Sequence, residues 1–252
     1  MSENSIQNKV AIVTGGTRGI GRAITTRLLA EGARVAFCGT RQKSVDDALA
    51  GFSPKAAGFS SRDAAFGMVA DVSRLDDVRS FVRTVHRHFG TVDILINNAG
   101  AGIFRGVADL TPEEWHRMIG LNLTGAYYCC HEVLPIFRQG GGGDVVNIGS
   151  LAGKNAFAGG AGYNASKFGL NGFSEAMMLD YRNEGIRVAT IMPGSVDTAF
   201  GSKHSGDEVA NKNAWKIAPE DIAEIVTNLL RMPRRTTISQ IEVRPSRPPG
   251  KT

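Results

Sequence analysis

Cysteine is scarce: the 252 residues hold three, Cys38, Cys129 and Cys130. So sparse and odd a count builds no disulfide framework and points to a reducing compartment. Cys129 and Cys130 are neighbours in a stretch that reads as helix, and are expected to fill core space rather than react. Long apolar runs are also missing. None approaches the roughly 18 residues that a membrane span requires, so no membrane partner is expected. The five histidines, His86, His88, His116, His131 and His204, are scattered. His86 and His88 are two apart and cannot share a helix face, so no metal site is expected. Nor does one sign of charge dominate: 29 basic against 24 acidic residues give +5. No dense Lys/Arg block occurs, the nearest approach being Arg231, Arg234, Arg235, Arg244 and Arg247. That distribution reads as a solvated basic face rather than a nucleic-acid surface, and it suits small anionic ligands. Met1 to Asn8 is polar and lacks the charged-then-apolar layout of a secretory signal. The expectation is a cytoplasmic protein.

What is present is alternation. Hydrophobic residues make up 42% and charged residues 21%, as in globular proteins. One domain over 1–252 is expected. Val10 to Val13 is a short apolar run ending in glycines and reads as a buried strand. A helical pattern follows from Gly19 to Glu31, stopped by Gly32, then a strand over Ala33 to Cys38. The order continues with a helix near Val45 to Leu49 and an excursion loop from Gly51 to Asp63. Next come a strand at Gly67 to Ala70, a helix over Arg74 to Phe89 and a strand over Val92 to Ile96. Thr111 caps a helix with Pro112 in its first turn, predicted to run to about Phe137. Strand Asp144 to Ile148, helix Gly160 to Asn183 and strand Ile186 to Ile191 come next. A helix from Pro219 that ends before Pro233 and a strand Ile238 to Val243 complete the pattern. Strands alternating with helices imply an α/β fold, a Rossmann-like doubly wound parallel sheet of about seven strands with helices on both faces.

The segment Thr14-Gly15-Gly16-Thr17-Arg18-Gly19-Ile20-Gly21 lies between the first strand and the first helix. Glycines there permit positive φ and close approach of backbone to a pyrophosphate, and the helix N-terminus adds unpaired N–H groups and partial positive charge. Gly15, Thr17, Arg18, Gly19, Ile20 and Gly21 are therefore expected to hold a dinucleotide. In such folds an acid at the end of the second strand bonds the ribose 2′-hydroxyl. Here that place holds Gly39-Thr40-Arg41. Thr40, Arg41 and Arg18 suit a 2′-phosphate instead, so the expected cofactor is NADP(H) rather than NAD(H).

Tyr163 and Lys167 are four apart and share a helix face. A phenol of pKa about 10 is a poor base near neutrality. An ammonium about 5 Å away, at an effective dielectric of about 20, would stabilise the phenolate by roughly 3 kcal/mol and lower that pKa by about 2. Tyr163 is thus expected to be the acid/base of a carbonyl–alcohol interconversion. Ser150 follows the fifth strand, at the carboxyl edge where ligands bind, and can hydrogen-bond the substrate oxygen. Asn122 lies mid-helix despite its weak helix propensity.

The glycine pattern, Asn97-Asn98-Ala99-Gly100, Ser150 and Tyr163-Asn164-Ala165-Ser166-Lys167 together resemble the short-chain dehydrogenase/reductase family, from about Lys9 to Val243. The resemblance implies a catalytic set of Asn122, Ser150, Tyr163 and Lys167. Lys167 would also bond the nicotinamide ribose, and Asn122 would support a water-mediated proton path to the lysine. Asp71 and Val72 would lie near the adenine. Pro193 and Gly194 would pass under the nicotinamide, with Val196 and Thr198 near its carboxamide. Ala99 and Gly100 would line the cleft, and Asn98 would either line it or brace the sheet.

The substrate is less legible. Candidate walls are Ile103, Phe104, Ala152 to Phe157 and the segment 195–215, a candidate lid. They imply a small, partly apolar carbonyl compound. A 3-oxoacyl thioester is an alternative, weakened by Tyr128 and Glu184 where arginines would flank the pocket. A non-catalytic NADP(H)-binding sensor is the alternative of another class. The C-terminus, with a proline-rich tail over 245–252, departs from the family. A homodimer or homotetramer is expected through apolar faces carrying Leu121, Tyr128 and Val133 on one helix and Phe173 and Met177 on another.

Overall fold

A computed structural model of the chain describes residues 5–52, 64–198, 200 and 214–249. Seven parallel strands form one sheet in the order β3-β2-β1-β4-β5-β6-β7. They are β1 (Val10–Val13), β2 (Arg34–Gly39), β3 (Ala65–Val69), β4 (Ile94–Asn97), β5 (Gly143–Ile148), β6 (Ile186–Pro193) and β7 (Gln240–Val243). The strand order reverses direction between β1 and β4, and there the crevice for a ligand opens at the carboxyl ends.

The helices are α1 (Gly19–Ala30), α2 (Gln42–Gly51), α3 (Leu75–Phe89), α4 (Pro112–Ile119), α5 (Gly125–Gln139), α6 (Ala161–Tyr181) and α7 (Pro219–Leu230). Local chemistry sets their ends. Thr111 accepts from the Glu114 N–H at 3.2 Å while the Glu114 carboxylate accepts from the Thr111 N–H at 3.3 Å, a reciprocal cap of α4. Gly90, at φ 83°, terminates α3, a left-handed position where glycine carries no Cβ penalty.

Alternation along each strand feeds two cores. Ala11, Val13, Ile94 and Ile96 face a layer that contains Ile24, Leu28, Val45 and Val226. Val10, Ile12 and Leu95 face the opposite layer with Phe81, Val85, Cys129, Val133 and Met177. Complete burial of such an aliphatic side chain is worth about 1.5–3 kcal/mol, so the sheet is held from both sides. A third, smaller cluster of Met118, Ala152 and Tyr163 lies with Ile103 and Leu110. Cys129 and Cys130 are core residues, as expected. Burial pushes the Cys129 thiol well above 9.0 and that of Cys130 to about 12, so neither is a thiolate near neutrality.

The helix expected from Pro112 to about Phe137 is present and runs on to Gln139, with one π turn, Gly120–Thr124, between α4 and α5. One expectation needs correction. The apolar faces assigned to subunit contact are mostly core. Val133 and Met177 are fully or nearly buried, and Leu121, Tyr128 and Phe173 pack against the same cluster. The exposed large apolar side chains of these helices are Tyr127, Phe168 and Leu179. The loop expected over 51–63 lies, from residue 53 on, outside the described residues, as does most of the 195–215 segment. No helix among the described residues is long and apolar enough to cross a membrane. None of their His, Cys, Asp and Glu side chains gather as a metal site.

Candidate active site

The loop after β1 is built by close contacts. Gly15 has φ 65° and Gly19 φ 54°. A Cβ on Gly15 would stand 3.0 Å from Ala99 Cα, and one on Gly21 would collide with the Gly15 carbonyl and the Asn98 amide. Helix α1 can therefore sit directly on the turn only because these positions are glycine. Its N-terminus has no side-chain cap and no acid in its first turn, which leaves its N–H groups available to an anion. Across the cradle, Thr198 Cγ2 lies 3.2 Å from where a Gly19 Cβ would be, and Thr17 packs against Gly39 at the end of β2. Ile20 packs against the core beneath.

Asn98 braces this loop: its side-chain amide donates to the carbonyls of Thr14 at 3.0 Å and Gly15 at 3.1 Å. The Thr14 hydroxyl accepts from the N–H groups of Asn98 and Ala99, each at 3.0 Å. Thr14 was not foreseen. Its signal is a hydroxyl at the strand end beside the switch point. Gly100 stands against Asn122, whose Oδ1 would be 3.1 Å from an added Cβ. Asp71 accepts from the Ser73 hydroxyl at 2.7 Å and N–H at 3.0 Å, and Val72 is buried against Gly125. Thr40, Arg41 and Arg18 are exposed at the rim. Neither arginine has an ion-pair partner among the described residues.

Asn122 occupies the π turn, a device frequent at functional sites. Its amide is fully used: Oδ1 accepts from Ala101 N at 2.8 Å, and Nδ2 donates to Ala101 O and the Ser166 hydroxyl, each at 2.9 Å. Ser166 in turn donates to the Tyr163 carbonyl at 2.8 Å. The side chain thus ties the loop after β4 to the first turn of α6. Asn122, Lys167, Asn97, Thr14 and Ala99 line one small internal gap. There the Asn97 Oδ1 is buried without a hydrogen-bond partner.

Ser150 stands two residues past β5, its side chain accepting from the Ala152 N–H at 3.1 Å. It stands near enough to the Tyr163 phenol to favour its ionised form. Tyr163 is 8% exposed and Lys167 5%. Both lie on α6, with the lysine nitrogen 5.9 Å from the centre of the tyrosine ring and donating to the Ile148 carbonyl at 2.9 Å. The expected lowering of the phenol by the lysine is overturned. Burial pushes Tyr163 above its ordinary 10.0, opposed by the Ser150 hydroxyl. Burial likewise takes Lys167 from 10.5 to about 8. Desolvation disfavours both charges and outweighs their attraction.

Sequence reasoning also missed Asn164 and Asn171. Asn164 donates to Ala152 O at 2.7 Å and Asn171 to Gly153 O at 3.0 Å, so two amides on α6 fix the loop that carries Ser150. Pro193 ends β6, and Gly194 donates to Val243 O at 2.8 Å with Pro245 Cδ 3.1 Å from its would-be Cβ. Val196 forms a bridge with Ile217, which joins the two flanks of the 195–215 segment.

This arrangement has counterparts in known proteins. The profile of the short chain dehydrogenase family matches residues 9–208. An uncharacterized oxidoreductase of Staphylococcus aureus (strain USA300) is 30% identical over 95% of this chain and 98% of its own. A 3alpha-hydroxysteroid dehydrogenase of Mediterraneibacter gnavus is 35% identical over 77% of this chain and 76% of its own. Among solved structures, a metagenomic short-chain oxidoreductase in complex with NADP has TM-score 0.81 and 32% identity, covering 97% of this chain and 100% of that one. An alcohol dehydrogenase from the archaeon Thermococcus sibiricus, complexed with 5-hydroxy-NADP, has TM-score 0.86 and 27% identity, covering 97% of this chain and 100% of that one. With its profile match spanning residues 9–208, the chain belongs to the short chain dehydrogenase family, oxidoreductases of CH–OH and C=O groups.

Proposed function

We propose that the protein transfers hydride between NADP(H) and the carbonyl or alcohol carbon of a small, partly apolar substrate. The observation that carries this reading is the meeting of Ser150, Tyr163 and Lys167 at the carboxyl edge of β5, beside a phosphate-sized glycine cradle. The dehydrogenases it is similar to support the same chemistry.

The cradle fits a pyrophosphate: uncapped N–H groups, two positive-φ glycines and no room for a Cβ at Gly21. Arg18 and Arg41 suit a 2′-phosphate, and Pro193, Gly194, Val196 and Thr198 would border the nicotinamide. When bound, the dinucleotide supplies or accepts the hydride. The protein's own part is the proton. Ser150 donates a hydrogen bond to the substrate oxygen and holds it beside the phenol. Tyr163 gives its proton to that oxygen in reduction and withdraws it in oxidation. Lys167, held by Ile148, keeps an amine next to the phenol and to the ribose.

A panel of ketones, aldehydes and 3-oxoacyl esters, followed by NADPH absorbance, tests the reading. Turnover is expected with NADPH well above that with NADH. Equal or better turnover with NADH would overturn the cofactor assignment. A homodimer or homotetramer is proposed through exposed Tyr127, Phe168 and Leu179. A monomeric mass in solution would remove it.

A further inference from the structure

Two phenylalanines flank the Tyr163 ring, and a third packs on one of them. The Phe104 ring meets Tyr163 edge-on, with centroids 5.5 Å apart and planes at 80°. Phe157 lies 5.8 Å from Phe104 at 54°. Phe200 lies 6.0 Å from Tyr163 at 52°. Phe104 and Phe200 converge over Gly102, where an added Cβ would come within 2.9 Å and 2.8 Å of them. The rings come from three separate segments, those after β4, β5 and β6. The first two are joined by a backbone bridge between Arg105 and Gly160.

Each ring is nonetheless close to half exposed, at 48% for Phe104, 46% for Phe157 and 44% for Phe200. An apolar cluster left open to water around a reactive hydroxyl marks a place that a ligand covers. Arg105, next to Phe104 in the chain, pairs with Glu114 at 3.0 Å.

We infer that the preferred substrate is an aryl ketone, aryl aldehyde or the matching benzylic alcohol, its flat ring packed among Phe104, Phe157 and Phe200. This rests on the proposed function and narrows it. The mutual tilts of the rings leave edges and faces for edge-to-face contact with a fourth ring. A flexible acyl chain in the same space would lose rotamer freedom that a flat ring does not possess.

The test compares an aryl ketone with an aliphatic ketone of equal carbon number, in wild type and in the Phe104→Ala, Phe157→Ala and Phe157→Leu variants. Two readouts are taken, kcat/KM with NADPH and equilibrium binding of the aryl ketone by ligand-observed NMR with NADPH present. Wild type is expected to favour the aryl ketone in kcat/KM by about tenfold or more, the worth of a few aromatic contacts. Each alanine variant should collapse that ratio toward one and weaken aryl ketone binding, with Phe157→Leu intermediate. Turnover with no aryl preference, or equal losses on both ketones, overturns the inference while the oxidoreductase reading stands. Aryl ketone binding that the alanine variants abolish, without hydride transfer to any carbonyl, supports the ring site and sinks the proposed activity. No aryl ketone binding at all overturns the inference directly.

Discussion

The Lys167 amine lies 5.9 Å from the centre of the Tyr163 ring, yet its hydrogen bond goes to the Ile148 carbonyl at 2.9 Å. The amine is therefore anchored to the sheet and not to the phenol it serves. Burial pushes the phenol above its ordinary pKa. The difference in ultraviolet titration between wild type and Tyr163→Phe should therefore show this phenol ionising later than an ordinary tyrosine. Oxidised NADP should move that ionisation to lower pH, because a cation nearby favours the phenolate. No change on adding it would separate the phenol from the nicotinamide site.

Removing the hydroxyl should remove the proton transfer while sparing the cradle. Tyr163→Phe is expected to lower kcat by about 10²–10⁴-fold, the usual worth of a positioned acid or base. NADPH affinity, measured by fluorescence, should change little, because the glycine loop is built by Gly15, Gly21 and Asn98. Retained turnover would assign the proton to another group. Retained NADPH-dependent partner regulation without turnover in wild type would favour a sensor.

Lys167 gives a pH signature of stability. The unfolded chain keeps it protonated up to about 10.5, whereas the folded protein releases the proton from about 8. Between those values the unfolded state binds more protons, so stability rises with pH. Lys167→Met lacks this contribution. Denaturant unfolding of both proteins without cofactor should show wild type gaining about 2–3 kcal/mol on the variant between about pH 7 and pH 10. A difference independent of pH would mean that the amine is solvated.

What was legible in the sequence is what short-range chemistry dictates. The strands show as runs of Val, Ile, Leu and Ala because both faces of a parallel sheet are buried. Tyr163 and Lys167 share a helix face by their spacing, and the glycine pattern, Asn97 to Gly100 and Ser150 together marked them as a site. The π turn at Gly120–Thr124 was not legible, since the apolar pattern of Met118, Leu121 and Leu123 continues through it. Nor does periodicity tell which of two apolar stripes faces the sheet: Val133 and Met177 lie in the core, and Tyr127 and Leu179 face outward. The direction of the Tyr163 shift also escaped, because desolvation depends on how the whole site is enclosed.

The phosphate loop can be tested without touching the chemistry. Gly21→Ala places a methyl group against the Gly15 carbonyl and the Asn98 amide. The turn must shift, at a cost of about 1–3 kcal/mol for an overpacked site. NADPH affinity should fall by at least about tenfold, the equivalent of 1.4 kcal/mol. Gly172→Ala is the contrast: a Cβ there meets nothing within 4 Å, so affinity should hold while the helix gains about 0.5–1 kcal/mol. Equal affinities for Gly21→Ala and wild type would show that the cofactor does not use this turn.

Away from the site, Arg187 secures the far end of the sheet. Its side chain is 10% exposed and donates to Asp144 at 2.6 Å. It also donates to the carbonyls of Met232 at 2.7 Å, Leu230 at 3.2 Å and Thr236 at 3.3 Å. One guanidinium thus satisfies the last turn of α7 and the chain that leads into β7. Arg187→Met would leave those carbonyls unpaired and Asp144 with Arg234 alone. The expected loss is about 3–5 kcal/mol, as for breaking a buried pair. Arg187→Lys should recover little of it, because a single ammonium cannot span a carboxylate and the four carbonyls, that of Pro233 at 3.4 Å included. Urea unfolding at neutral pH reads both variants, and full recovery by lysine would reduce the role of Arg187 to its charge.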